Sequence, residues 1–244
     1  MRLKVTISYD GSNYKGWQSQ PHGNSIQQVI EKGLAKMHRH DVYISASGRT
    51  DAGVHAVGQV FHFDSELDIT LDKWRQAINS NTPYDIYVHK VEAVDEEFHA
   101  RYSCKSKKYQ CRFSMEPYYN VHRYKYCTQL KRTYDIEKMM DAAKIFVGEH
   151  DFTSYCANTM EEQPNQVRTI YDISFHQEGD EWVVTYYGDG FLRYMVRMIM
   201  GTLFAIGSGT ITAETAKEWL EAKDKRLCRF NAEPNGLYLM EVNY

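Results

Sequence analysis

The chain opens on an alternation. Leu3, Val5, Ile7 and Tyr9 fall on one side of an extended segment, and Asp10-Gly11 ends it. That period of two predicts a half-buried strand. A connection of amides and aromatics covers residues 12–21. Ser25 with Gln28 three positions later has the form of a capping box. Ile26, Val29, Ile30, Leu34 and Met37 then recur at helical spacing. Short apolar runs at 42–44 and 59–63 predict two strands with residues 47–55 as the loop between them. Thr70 caps a second predicted helix with Leu71, Trp74, Ala77 and Ile78 on one face, stopped by residues 79–83, and 86–94 is strand-like. Strand, helix, strand, strand, helix, strand is the split βαβ order of a ferredoxin-like unit.

The second half reads similarly. Residues 107–115 predict a strand. Asp135 caps a helix burying Ile136, Met139, Met140, Ala143 and Phe146, which Gly148 ends. A polar loop at 161–168 leads to a hairpin, 170–175 and 182–186, closed near Gly179. Residues 190–207 are apolar on nearly every side and predict a buried helix. A short helix at 212–222 and a closing strand at 237–242 complete the chain. The fold class is therefore α+β. It is expected to comprise two ferredoxin-like halves, residues 1–104 and 105–244, sharing a mostly antiparallel central sheet. Helices pack on that sheet, and an active-site cleft lies between the halves.

Composition narrows the class. Hydrophobic residues are 43% and charged residues 25%, ordinary for a globular protein with a real core. The five cysteines include no Cys-x-x-Cys pair and the histidines no His-Glu-x-x-His, so no metal site is signalled. The first residues run straight into a strand and no apolar run reaches membrane-spanning length, so no leader and no membrane partner are expected, and the setting is a reducing cytoplasm.

The net charge of -3 hides a strong asymmetry. Between Arg101 and Arg132 stand nine Lys or Arg, including Lys105, Lys107, Lys108 and Arg112, against one acid, Glu116. Tyrosines and a phenylalanine are interleaved with them. Cations neutralise phosphates and aromatic faces stack bases, so the mixture suits RNA. A solvated strand face with a loop is the plainer account of the same residues.

The chemistry concentrates in Gly48-Arg49-Thr50-Asp51-Ala52-Gly53. Two glycines flank a guanidinium and a carboxylate on a tight turn. A carboxylate beside an arginine stays ionised and can act as nucleophile, base or metal ligand. A polar turn with a surface salt bridge is equally compatible with this segment alone. Arg197, inside the predicted buried helix, is costly there unless paired or solvent-lined. A snorkelling side chain or a carboxylate partner, with Asp51 the obvious one, would each account for it. A glycoside-type hydrolase would need a second acid near Asp51, for which Asp10 and Asp189 are the candidates. A binding module without chemistry would make Asp51 dispensable.

These segments resemble the TruA-type tRNA pseudouridine synthases. The resemblance runs through Tyr9-Asp10-Gly11, Gly16-Trp17-Gln18, Gly48 to Ala56 with Gly58-Gln59-Val60, Phe98-His99-Ala100-Arg101 and Lys108-Tyr109. It continues through Gly190-Phe191-Leu192, Met195-Val196-Arg197 with Gly201, and Gly236-Leu237-Tyr238-Leu239, in the family's order along the whole chain. It implies a cofactor-free isomerisation of uridine to pseudouridine in the tRNA anticodon arm, usually at positions 38–40, on a flipped-out base. It implies that Asp51 is the catalytic aspartate, that Tyr109 packs on the flipped base, that Arg197 pairs with the aspartate, and that Arg49 touches the RNA. It also implies a homodimer. A paralogue acting on another RNA would keep the same three catalytic residues. Three features depart from the family's pattern: Cys111 where a second tyrosine is frequent, Glu233 where a proline is usual, and the acidic net charge.

Overall fold

The computed structural model describes residues 1–21 and 23–244. These form two compact units, Met1–Lys105 with Tyr238–Tyr244, and Ser106–Leu237.

In the first unit β1 (Arg2–Tyr9) is followed by α1 (Ile26–His38), β2 (Ser45–Ala46), β3 (His55–Asp64), α2 (Leu71–Asn81) and β4 (Ile86–Val94). β1 lies between β4 and β3, antiparallel to both, with Tyr9 opposite Ile86 on one side and Ala56 on the other. β2 pairs with β3, and the closing strand Leu237–Asn243 runs parallel to β3 at Tyr238–His55. Leu3, Val5 and Ile7 are fully buried, as the alternation predicts. Ser25 caps α1 by accepting from the Gln28 amide. The Gln28 side chain accepts from Ser25 Oγ at 3.3 Å and donates to the Gln20 carbonyl at 2.9 Å. Helices α1 and α2 meet closely at Gly33, where a β-carbon would stand 2.9 Å from the Asn81 carbonyl oxygen. Thr70 caps α2 and Trp74 and Ile78 are buried, but Leu71, next to the cap, faces outward. The run 42–44 is not a strand: Val42 and Ile44 are buried, yet the pairing with β3 is made by Ser45 and Ala46.

In the second unit β5 (Ser106–Ser114) is followed by β6 (Thr128–Gln129), α3 (Ile136–Ala143), β7 (Gly148–Asp151), the hairpin β8 (Val167–Glu178) and β9 (Glu181–Gly188), α4 (Met195–Gly207) and α5 (Ala213–Ala222). The closing strand is β10. β5, β9, β8 and β7 are successive antiparallel neighbours, with β6 parallel to β5. Gly179, φ 58°, closes the hairpin. Asp135 caps α3 through the Lys138 amide and Met139 is buried, but Met140 faces solvent. α3 ends at Ala143 in a 3₁₀ turn, and Gly148 begins β7 rather than ending the helix.

The apolar run 190–207 is helical only from Met195. Residues 190–194 are a connection that ends in Tyr194 at φ 63°. Arg197 therefore sits in the first turn of α4 and is half-buried, not in the middle of a buried helix. The rest of α4 is core: Phe204 meets Phe113 of β5 edge to face at 5.1 Å.

Candidate active site

Asp51 lies on the loop between β2 and β3 and is half-buried, while Arg49 beside it is exposed. The Val54 amide donates to the Asp51 carbonyl at 3.1 Å, closing a four-residue turn whose third member, Gly53, has φ 79°. A side chain at that φ would be strained, which is why glycine follows Ala52. Gln59 pins the other end of the loop. Its amide is completely buried, accepts from Ser47 Oγ at 2.7 Å and donates to the Gly48 carbonyl at 3.0 Å.

The opening segment of the chain braces the same loop. Trp17 donates its amide to the Thr50 carbonyl at 3.0 Å, and the Tyr9 hydroxyl bonds Thr50 Oγ1 at 2.7 Å. Burial pushes the Tyr9 phenol well above its ordinary range, so it stays protonated. Gly11 and Gly16 let two backbones touch the loop. A β-carbon at Gly11 would stand 2.0 Å from the Val54 carbonyl oxygen, and one at Gly16 would stand 2.7 Å from that of Thr50. The Gly11 amide donates to His55 Nδ1 at 3.1 Å, and Asp10 Oδ1 lies 3.3 Å from the same nitrogen. The His55 ring stacks on Tyr238 at 4.7 Å.

In the second unit Tyr109 lies on β5 opposite Tyr186, 8% exposed, with its ring edge to face against Phe191 at 5.2 Å. Arg197 donates from Nε to the Ala232 carbonyl at 2.8 Å, and its guanidinium lies 4.9 Å from the centre of the Tyr194 ring. Helix α4 reaches Ala232 because Gly201, one turn on, approaches the 230–232 backbone, where a β-carbon would stand 2.7 Å from the Asn231 nitrogen.

The four basic residues singled out from the sequence do not share one face. Lys107 alternates onto the Tyr109 side of β5, whereas Lys108 and Arg112 lie on the other. Lys108 sits over the Tyr187 ring at 5.5 Å. Arg112 is engaged by Glu178 at 2.8 Å and Glu181 at 3.4 Å, and Arg123 binds Glu181 through two nitrogens. Lys105, just before the strand, is exposed. Of the interleaved aromatics, Tyr102, Tyr118, Tyr119 and Tyr124 are exposed and available to stack, while Phe113 is core.

Comparison with known proteins decides what this arrangement belongs to. A family model described as tRNA pseudouridine synthase matches residues 5–103 and 142–244. The chain belongs to the tRNA pseudouridine synthase family. It is 46% identical over 246 residues to tRNA pseudouridine synthase A of Bacillus pumilus (strain SAFR-032), covering 100% of this chain and 99% of the relative. It is 43% identical over 243 residues to tRNA pseudouridine synthase A of Exiguobacterium sp. (strain ATCC BAA-1283 / AT1b), covering 100% and 98%. The enzyme of the same name from Staphylococcus carnosus (strain TM300) is 44% identical, covering 99% and 90%. As a pseudouridine synthase the chain is an isomerase.

The departures from the synthase pattern fit their places. Cys111 faces the same side of β5 as Tyr109 and is buried, and burial pushes its thiol up to about 12. Glu233 is exposed at φ -59°, a backbone angle that proline also adopts. Gln59, Tyr194 and the Ala232 carbonyl receive no role from the sequence. Gln59 carried a usable signal, an amide in step with Phe61 and Phe63 on an inward face. The Tyr194 and Ala232 contacts carried none, because their partners are set by the fold of residues 190–232.

Proposed function

We propose that this chain isomerises uridine to pseudouridine in the tRNA anticodon arm, at positions 38–40, in the cytoplasm and as a homodimer. In that reaction the bond from C1′ to N1 breaks, the uracil turns, and a bond from C1′ to C5 replaces it, C5 giving up its proton and N1 taking one up. Asp51 promotes the cleavage. Tyr109 packs on the flipped base and assists removal of the proton. Arg197 keeps the carboxylate ionised, and Arg49 holds the RNA with the base out of its stack.

The observation that carries this reading is the bracing of Asp51. Gly11, Gly16, Trp17 and Gln59 fix the backbone on both sides of one carboxylate, inside a chain matched end to end by tRNA pseudouridine synthases. A surface turn has no need of such support, whereas a group that must meet a reacting carbon at fixed geometry does. Arg197 supports it further. A cation in the first turn of a helix opposes the positive end of the helix dipole, an arrangement suited to an anionic partner. Phosphates are held by Lys105, Lys107 and Lys108. Arg112, whose Nη1 is joined to Glu178 and Glu181, is the fourth residue of this phosphate-binding set. The first unit's strand sequence β4-β1-β3-β2 supports reading it as a ferredoxin-like half, with the second unit as its counterpart.

The test is direct. Unmodified tRNA transcripts carrying uridine at only one of the three anticodon-arm positions are incubated with the protein, and pseudouridine is mapped by chemical adduct and primer extension. Product at those positions and not elsewhere in the transcript is expected. Modification confined to the D or T arm would contradict the assignment.

A further inference from the structure

Three non-glycine residues have positive φ among the described residues: Arg39, Tyr194 and Lys223. Arg39 and Lys223 are the C-caps of α1 and α5, where a left-handed residue is a common way to end a helix. Tyr194 stands at the opposite end. It precedes α4 with φ 63° and ψ -2°, and it makes no side-chain cap bond to the free amides of the first turn. N-caps ordinarily have extended backbone and a short polar side chain that accepts from those amides. A bulky residue in the left-handed region persists only where its surroundings over-determine it, and such residues cluster at functional sites.

The surroundings here are explicit. The Arg193 amide donates to Asn158 Oδ1 at 2.8 Å, and the Ala157 amide donates to the Arg193 carbonyl at 2.9 Å. The Met195 amide donates to the Leu192 carbonyl at 3.1 Å. With the backbone so held, the Tyr194 ring lies under the Arg197 guanidinium at 4.9 Å, with the Arg193 guanidinium 5.4 Å from the same ring. Arg197 is fixed at a second point by its Nε bond to the Ala232 carbonyl, and the Ala232 amide in turn donates to the Arg197 carbonyl at 2.9 Å.

We propose that Tyr194 is a positioning residue for the isomerisation: its ring fixes the plane of the Arg197 guanidinium, and the left-handed turn before α4 exists to put it there. The proposal rests on the reading of Arg197 as part of the catalytic set. An arginine in the first turn of a helix is pushed outward by the helix dipole, and its long side chain has many rotamers. The negative face of the ring opposes that push, and together with the Ala232 carbonyl it leaves one orientation. The carbonyl holds the guanidinium at Nε and the ring holds its face. A pre-oriented cation stabilises charge without reorganising when the glycosidic bond breaks.

The experiment compares Tyr194→Phe, Tyr194→Leu, Tyr194→Gly and Arg197→Ala. Single-turnover pseudouridine formation, tRNA Kd and Tm are measured for each. Tyr194→Leu should slow the single-turnover rate about tenfold, the scale of a lost cation–π contact, with Kd within about twofold. Tyr194→Phe should recover most of the rate. Tyr194→Gly, which relieves the backbone strain, should be as slow as the leucine variant despite an equal or higher Tm. That pattern separates the ring from the fold. Wild-type rates in the leucine and glycine variants overturn the proposal, as does a phenylalanine variant as slow as leucine, or a loss expressed wholly in Kd. Arg197→Ala tells the two failures apart. If it is inactive while Tyr194→Leu is unimpaired, the positioning role alone is wrong. If it retains full activity, the catalytic reading of Arg197 falls and the proposal falls with it.

Discussion

Gly16 and Asp51 are packed backbone against backbone: a β-carbon on residue 16 would stand 3.1 Å from the Asp51 carbonyl carbon and 2.7 Å from the Thr50 carbonyl oxygen. Gly16 also has φ 88°, so a side chain there is strained even before it meets the loop. Gly16→Ala should cost about 1–3 kcal/mol of stability. It should lower the single-turnover rate at least about tenfold at a temperature where the variant is fully folded, because a small displacement of a catalytic group is expensive. Thermal unfolding and single-turnover kinetics on one preparation check this. A variant that is less stable but equally fast would mean that the packing serves the fold alone.

Gln59 ties both ends of one amide to the Asp51 loop, to Ser47 Oγ and to the Gly48 carbonyl. Gln59→Met keeps the length and removes the bonds to the Ser47 hydroxyl and the Gly48 carbonyl. The expected cost is about 1–3 kcal/mol. Hydrogen exchange should quicken at the amides of residues 47–54 and stay unchanged in β1 and β4. Exchange that quickens everywhere by the same factor would assign Gln59 to global stability instead.

His62 gives stability a pH dependence. Its Nδ1 accepts from the Ala100 amide at 3.1 Å, and burial, followed by the nearby His99 and Arg2 charges, lowers its pKa from 6.5. The pKa of His99 is lowered as well, again chiefly by burial. Above about pH 6.5 both states are neutral at these rings and no stability is lost. Below it the unfolded chain takes up protons first, so stability falls as pH drops toward the folded-state pKa. Tm measured from pH 7.5 to pH 5 should decline, and His62→Gln should flatten the slope. A variant with the wild-type slope would move the effect to other groups.

The thiols should be largely silent. Cys111, Cys127, Cys156 and Cys228 are buried, and only Cys104 is partly accessible. Burial pushes both Cys111 and Cys127 up to about 12, so neither is a thiolate near neutrality. Titration of the native protein with a disulfide reagent at pH 8 should give one fast thiol, and the denatured chain should give all five. Two or more fast thiols in the native protein would contradict the burial of these four cysteines.

The strands and helices were legible wherever burial is one-sided. β1 alternates cleanly, and the caps Ser25, Thr70 and Asp135 all accept from the amide three residues on. The misses share a cause. Val42 and Ile44 are apolar because they are buried, yet backbone pairing is made by Ser45 and Ala46 after them. Residues 190–194 continue an apolar run, yet the chain turns left-handed at Tyr194 before it can coil. Apolarity reports burial and not which hydrogen bonds the backbone makes. In the candidate site, Asp51 stands out in the sequence because a carboxylate between two glycines is locally unusual. The reason for Gly11 and Gly16 is not legible there, because each is explained by a backbone distant in sequence, Val54 and Thr50, that it must touch.

The measurement closest to the central claim is pseudouridine formation by Asp51→Asn, under single turnover with saturating tRNA, alongside the tRNA Kd and Tm. The amide keeps the size of the side chain and removes the charge. The account predicts Kd and Tm close to wild type and a rate lower by at least about a thousandfold, since the step the carboxylate performs has no substitute. A variant forming pseudouridine within about tenfold of the wild-type rate would contradict the account, and would leave the braced Asp51 loop as an RNA-holding element rather than the centre of the chemistry.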